Sequence, residues 1–82
     1  MSDEPKRLEL KATIQSFAEL RENWNSYGAG PLHQSLIDKA KDVVDWLPDF
    51  SKYKWQAVPG ESFIQIESHT NGHVIEIYIA ES

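Results

Sequence analysis

The sequence predicts a two-layer α+β fold in which two helices pack on one face of a three-stranded antiparallel sheet, in the order ααβββ. Three observations carry that expectation. Apolar residues recur twice at helical spacing in the first part of the chain, and they change to strict alternation after residue 53. Asn71-Gly72 then separates two alternating runs with a strong hairpin signal, because both residues tolerate the positive φ that a type I′ turn needs.

Leu10, Ile14, Phe17, Ala18, Arg21 and Trp24 fall at three- and four-residue spacing, which predicts an amphipathic helix over about residues 8–25. Its exposed side carries Lys11, Gln15, Glu19 and Glu22. Residues 1–7 are charged and lie outside this period, and they read as a disordered tail. Leu36, Ile37, Ala40, Val43, Val44 and Leu47 give a second stripe over about residues 35–47. Ser35 and Asp38 have the spacing of a capping box at its start, and Pro48 stops it.

Between the helices stands Asn23-Trp24-Asn25-Ser26-Tyr27-Gly28-Ala29-Gly30-Pro31. It reads as a built joint: Gly28 and Gly30 supply backbone angles that other residues resist, and Pro31 prevents the first helix from continuing. Trp24 and Tyr27 are expected to cap the end of the core. Exposed, they would instead form an aromatic contact surface.

After the charged connector Asp49 to Lys52, Tyr53, Trp55 and Ala57 alternate with Lys54, Gln56 and Val58 as a first strand, and Pro59-Gly60-Glu61 is expected to turn. Ser62–Ser68 and His73–Ala80 follow as strands. With Thr70 facing His73, the register pairs Ser68 with Ile75, Ile66 with Ile77 and Ile64 with Ile79, so five isoleucines share one face. The opposite face pairs Phe63 with Ala80, Gln65 with Tyr78, Glu67 with Glu76 and His69 with Val74. One apolar and one polar face require cover on one side only, which the two helices supply.

Composition sets the outer limits. The 82 residues form a single domain, 1–82, able to bury about 60–65% of its unfolded surface. There is no cysteine, which excludes disulfides, thiolate zinc sites and cysteine nucleophiles. No stretch approaches the roughly 18 apolar residues of a membrane helix and no export signal is visible, so a cytoplasmic location is expected. Thirteen acidic against eight basic residues give a net charge of −5, which disfavours direct nucleic-acid binding and suits a basic protein partner. Plain solvation explains the same charge.

Chemistry-bearing patterns are sparse. Gly28-Ala29-Gly30 lacks the preceding strand, third glycine and lysine of a phosphate loop. His69 shares a sheet face with Glu67 and Glu76, which invites a metal site. Two facing carboxylates repel unless a metal, a basic partner side chain or solvent relieves them, and the basic partner fits these residues at least as well as a metal. No metal and no cofactor are therefore predicted. A glycosidase would need a cleft between its carboxylates, and Ser26, Ser35 and His33 resemble no nucleophile elbow, so the protein reads as a non-enzyme. Trp46 and Trp55 are expected half-buried at the rim between helices and sheet, and either one, if exposed, would be the first hot-spot candidate for a partner.

At the joint, the chain resembles a widespread set of small bacterial and phage proteins that carry an Asn-Trp-Asp-Gly-Tyr-Gly-Ala-x-Pro-like segment, then a helix, then strands ending in alternating Glu-Ile. The likeness covers about residues 17–79, with Asn25 and Ser26 standing where Asp and Gly are usual and Gly30 at the variable position. The resemblance implies a fold and a mobile-element setting, and it transfers no catalytic residue. It raises the expectation of a phage inhibitor of host defence or the antitoxin of a small operon.

Together these features lead to a small acidic, non-enzymatic inhibitor that blocks a basic, nucleic-acid-handling partner, with CRISPR inhibition as the most specific version. Its contact surface is expected at Gln65, Glu67, Glu76 and Tyr78, with Asp38, Asp42, Asp45 and Asp49 as the rival patch. From another class, a self-associating assembly module would use the unpaired sheet edges as a homodimer.

Overall fold

A computed structural model describes residues 3–21, 24, 30–70 and 72–80. Its elements are α1 (Glu4–Ser16), a 3-10 turn (Phe17–Glu19), α2 (Gln34–Val44), β1 (Gln56–Gly60), β2 (Phe63–Thr70) and β3 (His73–Ala80). The strands form one antiparallel sheet in the order β1-β2-β3. Both helices pack against the sheet and each other, α2 over β2 and β3 and α1 over β1. The expected α+β fold in the order ααβββ is the observed one. Of the joint, Asn23 and Asn25–Ala29 lie outside the described residues, as do Glu22 and Asn71.

The first helix is displaced from its expected span. It starts at Glu4, so residues 4–7 are helix rather than tail. Pro5 pre-sets φ in the first turn, where its missing N–H costs nothing, and Glu4 meets the positive end of the helix dipole. Arg7 ties this turn to the far end of α2: its Nη1 donates to the carbonyls of Val44 at 2.5 Å and Leu47 at 3.3 Å. The guanidinium also lies 4.7 Å from the Phe50 ring centroid. Regular helix ends at Ser16, well short of residue 25. Thr13 Oγ1 donates to the Glu9 carbonyl and Ser16 Oγ to the Thr13 carbonyl, and such back-bonding competes with the helical ladder. Leu20 is already extended.

The second helix begins one residue early. His33 is the residue at its N-terminal cap, so Ser35 lies inside the helix and not at the boundary that a Ser35–Asp38 capping box would mark. Leu36, Ile37, Ala40 and Val44 are buried. Three tight hydrogen bonds, from the amides of Asp45, Trp46 and Leu47 to the carbonyls three residues before, end it ahead of Pro48.

In the sheet, the strand that was expected from Tyr53 starts at Gln56 and runs through Pro59 to Gly60, leaving a two-residue loop of Glu61 and Ser62. Proline is tolerated there because β1 is an edge strand. A Cβ at Gly60 would collide with the Phe63 ring, which packs over that backbone. Ser62 accepts a φ of 64°, and Gly72 one of 77° in the second turn. The β2–β3 register is the expected one at all eight pairs. Ile64, Ile66 and Ile79 join Leu10, Ile14, Phe17, Leu32, Leu47, Phe50 and the α2 residues in the core, with Ile77 packed half-buried at its margin. Ile75 is half-buried too. Among the described residues, no helix is long and apolar enough to cross a membrane.

Candidate functional site: the open face of the sheet

Because α1 and α2 occupy the isoleucine face, the other face of the sheet stays open. Pairing across three strands arranges it in rows: Gln56, Glu67 and Glu76; then Val58, Gln65 and Tyr78; then Gly60, Phe63 and Ala80. His69 and Val74 lie toward the Gly72 turn. The third row is closed by Phe63, whose ring stands 5.7 Å from that of Tyr78. Tyr78, Val74 and Val58 are exposed apolar or aromatic groups on this surface.

Glu67 and Glu76 face each other as the sequence predicts, and their repulsion is relieved from within the chain. Gln65 Nε2 donates to Glu76 Oε2 at 2.8 Å and lies 3.4 Å from Glu67 Oε2, bridging the two carboxylates with one amide. Tyr78 donates to Glu76 Oε2 at 3.5 Å, and His69 Nε2 lies 2.6 Å from Glu67 Oε2. The four residues Gln65, Glu67, Glu76 and Tyr78 therefore form one network. Glu67 is the more enclosed of the pair, its side chain only 18% exposed, while His69 is 56% exposed. Among the described residues, no three His, Cys, Asp or Glu side chains are grouped so as to hold a metal ion.

Charge is concentrated on this half of the molecule. All eight Lys and Arg precede residue 55, where nine Asp and Glu accompany them. Residues 55–82 carry four Glu and no Lys or Arg, so four of the five net negative charges belong to the sheet and its terminus. The open face thus presents carboxylates with no lysine or arginine of its own strands beside them.

The rival acidic patch is dispersed by local interactions. Asp38 Oδ1 accepts from Gln34 Nε2 at 2.8 Å, and Asp45 pairs with Lys11 at 2.6 Å. Asp49 is turned into its own loop, with φ of 42°. Its Oδ1 accepts from Ser51 Oγ at 2.8 Å and from the Lys52 amide at 3.0 Å. The Ser51 hydroxyl first, and then the Lys52 amide, hold the Asp49 carboxyl below its ordinary 3.8. Asp42 is exposed on the same helix.

The tryptophans divide. Trp55 is half-buried as expected, with its indole N–H donated to the Pro48 carbonyl at 2.9 Å and its ring 5.4 Å from Tyr53. Trp46 is 86% exposed, against the expected rim position. The tight turn that ends α2 buries Leu47 and leaves Trp46 pointing outward. Trp24 is half-buried and donates to the Gly30 carbonyl at 2.9 Å, spanning the joint, whereas Tyr27 and Gly28 lie outside the described residues.

Two features escaped the sequence. The Gln65 amide bridge depends on a side-chain torsion that no spacing rule encodes. A groove of about 410 Å³ between α1 and β1, with Leu10, Phe50, Trp55 and Ala57 on its walls and Lys6 and Lys54 among its polar residues, is built from two segments distant in sequence. No protein-family model matches the chain, and no curated protein or solved structure is similar to it.

Proposed function

We propose that this protein is a non-enzymatic inhibitor whose open sheet face docks on a basic surface of a protein partner, one that otherwise handles nucleic acid. The supporting observation is the Gln65–Glu67–Glu76–Tyr78 network, held together before any partner arrives on a strand pair without lysine or arginine. Carboxylates already fixed by hydrogen bonds lose little side-chain freedom on docking. Their charge steers a cationic surface and competes with phosphate groups for it. Exposed Tyr78 and Val74 add the aromatic and apolar contact that such interfaces use at their centres.

The resemblance at the joint favours a phage anti-defence setting for this inhibitor, CRISPR inhibition being its most specific form; an antitoxin would use the same face. The partner is expected in the cytoplasm. The test is affinity capture from host lysate with the native chain, followed by the same capture with Glu67→Lys/Glu76→Lys and with Asp38→Lys/Asp42→Lys. A partner lost about 100-fold with the sheet variant and retained with the helix variant supports the face, on the scale of close interfacial charge pairs. Equal retention by both variants would dismiss it.

A further inference from the structure

We infer that the outer edge of β3 is a pairing surface for a second copy of this chain, with the two β3 strands meeting antiparallel about Ile77. This interface is separate from the face proposed for the partner. The strand order leaves two edges, and they are built differently. The β1 edge is five residues long, contains Pro59 and lies under α1. The β3 edge is eight residues long, with no proline, no lysine and no interruption of its pairing to β2. Short length and proline are devices that keep a sheet edge from pairing, and here they mark β1 alone; each edge strand has a helix packed against it, and Lys39 reaches only the last carbonyl of β3.

The turn decides which backbone groups are available. A two-residue loop closes on a hydrogen-bonded pair, here Thr70 and His73, so His73, Ile75, Ile77 and Ile79 bond to β2. Val74, Glu76, Tyr78 and Ala80 then direct their N–H and C=O groups outward. The Ala80 carbonyl obeys this parity, because Lys39 Nζ reaches it at 3.0 Å.

A two-fold pairing must set outward-bonding residues against one another. Centring it on Glu76 brings Glu76 against the partner's Glu76, two like charges directly opposed. Centring it on Ile75 or on Tyr78 shortens the overlap. Centring it on Ile77 pairs Glu76 with the partner's Tyr78, Val74 with the partner's Ala80, and Ile75 with the partner's Ile79. Ile77 then meets the partner's Ile77. The half-buried Ile75 and Ile77 gain cover on the helix side, and a six-stranded sheet results with both open faces on one side.

Sedimentation equilibrium of the full chain over a concentration series should show twice the 9.4 kDa protomer mass. Tyr78→Pro removes an outward N–H that β2 does not use, and it should weaken the dimer at least tenfold while circular dichroism shows a folded monomer. The absence of cysteine permits a check of register: Ile77→Cys should form a disulfide-linked dimer under mild oxidation, because the two sulfurs meet on the axis, and Glu76→Cys should form far less. A protomer mass at every concentration, or a dimer indifferent to Tyr78→Pro, overturns the interface. Cross-linking through position 76 in preference to 77 overturns the register.

Discussion

Arg7 provides the sharpest test of how the two helices are held, because replacing it by methionine keeps the apolar stem and removes the guanidinium. The charged donor makes one short bond to the Val44 carbonyl, which among the described residues otherwise accepts only the Leu47 amide, and one long bond to the Leu47 carbonyl beyond the end of α2. A hydrogen bond from a charged group contributes about 1.5–3 kcal/mol, and half-burial places the Val44 bond at the lower end of that range. Cation–π contact with Phe50 adds about 0.5–1 kcal/mol. Arg7→Met should therefore cost about 2–3 kcal/mol, which for a domain of this size lowers Tm by about 10–20 °C. Arg7→Lys keeps the charge and three N–H donors but loses the planar guanidinium over the Phe50 ring, and should lose about half as much. Thermal and urea unfolding by circular dichroism measure both. A Tm for Arg7→Met within about 3 °C of wild type would refute the cap, and residues 4–7 would then behave as the tail their composition suggested.

Four further substitutions probe local features. Ser62→Gly relieves a residue held at φ 64° and should stabilise by about 0.5–1 kcal/mol in urea titration. Trp46→Gln should change stability by less than about 0.5 kcal/mol, because the ring is almost wholly exposed; a larger loss on thermal unfolding would contradict its position. Gln65→Leu removes the amide between Glu67 and Glu76 and should cost about 0.5–1 kcal/mol, recovered when Glu76→Gln is added, as a double-mutant cycle would show. The folded-state pKa of Asp49 is depressed, so its contribution is present above the unfolded pKa near about 4 and is lost as pH falls through the folded value. The Tm advantage of wild type over Asp49→Asn should accordingly shrink between about pH 5 and pH 2, and an advantage independent of pH would show that the charge is not what the Ser51 and Lys52 bonds stabilise.

The hairpin was legible in the sequence because two constraints agreed. Period-two alternation and the Asn71-Gly72 signal fix the same register, and one wrong step would have turned every isoleucine outward. Where only one local signal was present, tertiary structure displaced the boundary. Pro59 reads as a breaker, yet an edge strand has no use for its missing N–H. Arg7 reads as tail because its partners lie 37 and 40 residues away. The stripe through Phe17 and Trp24 continues in composition although the helix does not, since Thr13 and Ser16 turn their hydroxyls onto backbone carbonyls. On the open face, register placed Glu67 opposite Glu76. The amide that reconciles them was invisible because Gln65 is diagonal to Glu76 and two residues from Glu67, a relation that permits contact without requiring it.

Charge separates the molecule into a half that carries all of its lysines and arginines and a half that carries none. In the helical half, Lys11 meets Asp45, Gln34 meets Asp38, and Asp49 binds its own loop, so acidic residues there serve the fold. In the sheet half, the carboxylates are bridged by a neutral amide, which relieves repulsion without cancelling charge. The same strands carry the unprotected β3 edge. Partner docking and self-pairing do not exclude each other: side chains stand perpendicular to the sheet, whereas edge hydrogen bonds lie within its plane. Glu76 and Tyr78 can therefore present side chains to a cationic surface while their backbone groups bond a second copy, and two-fold pairing would double the acidic face without altering either network.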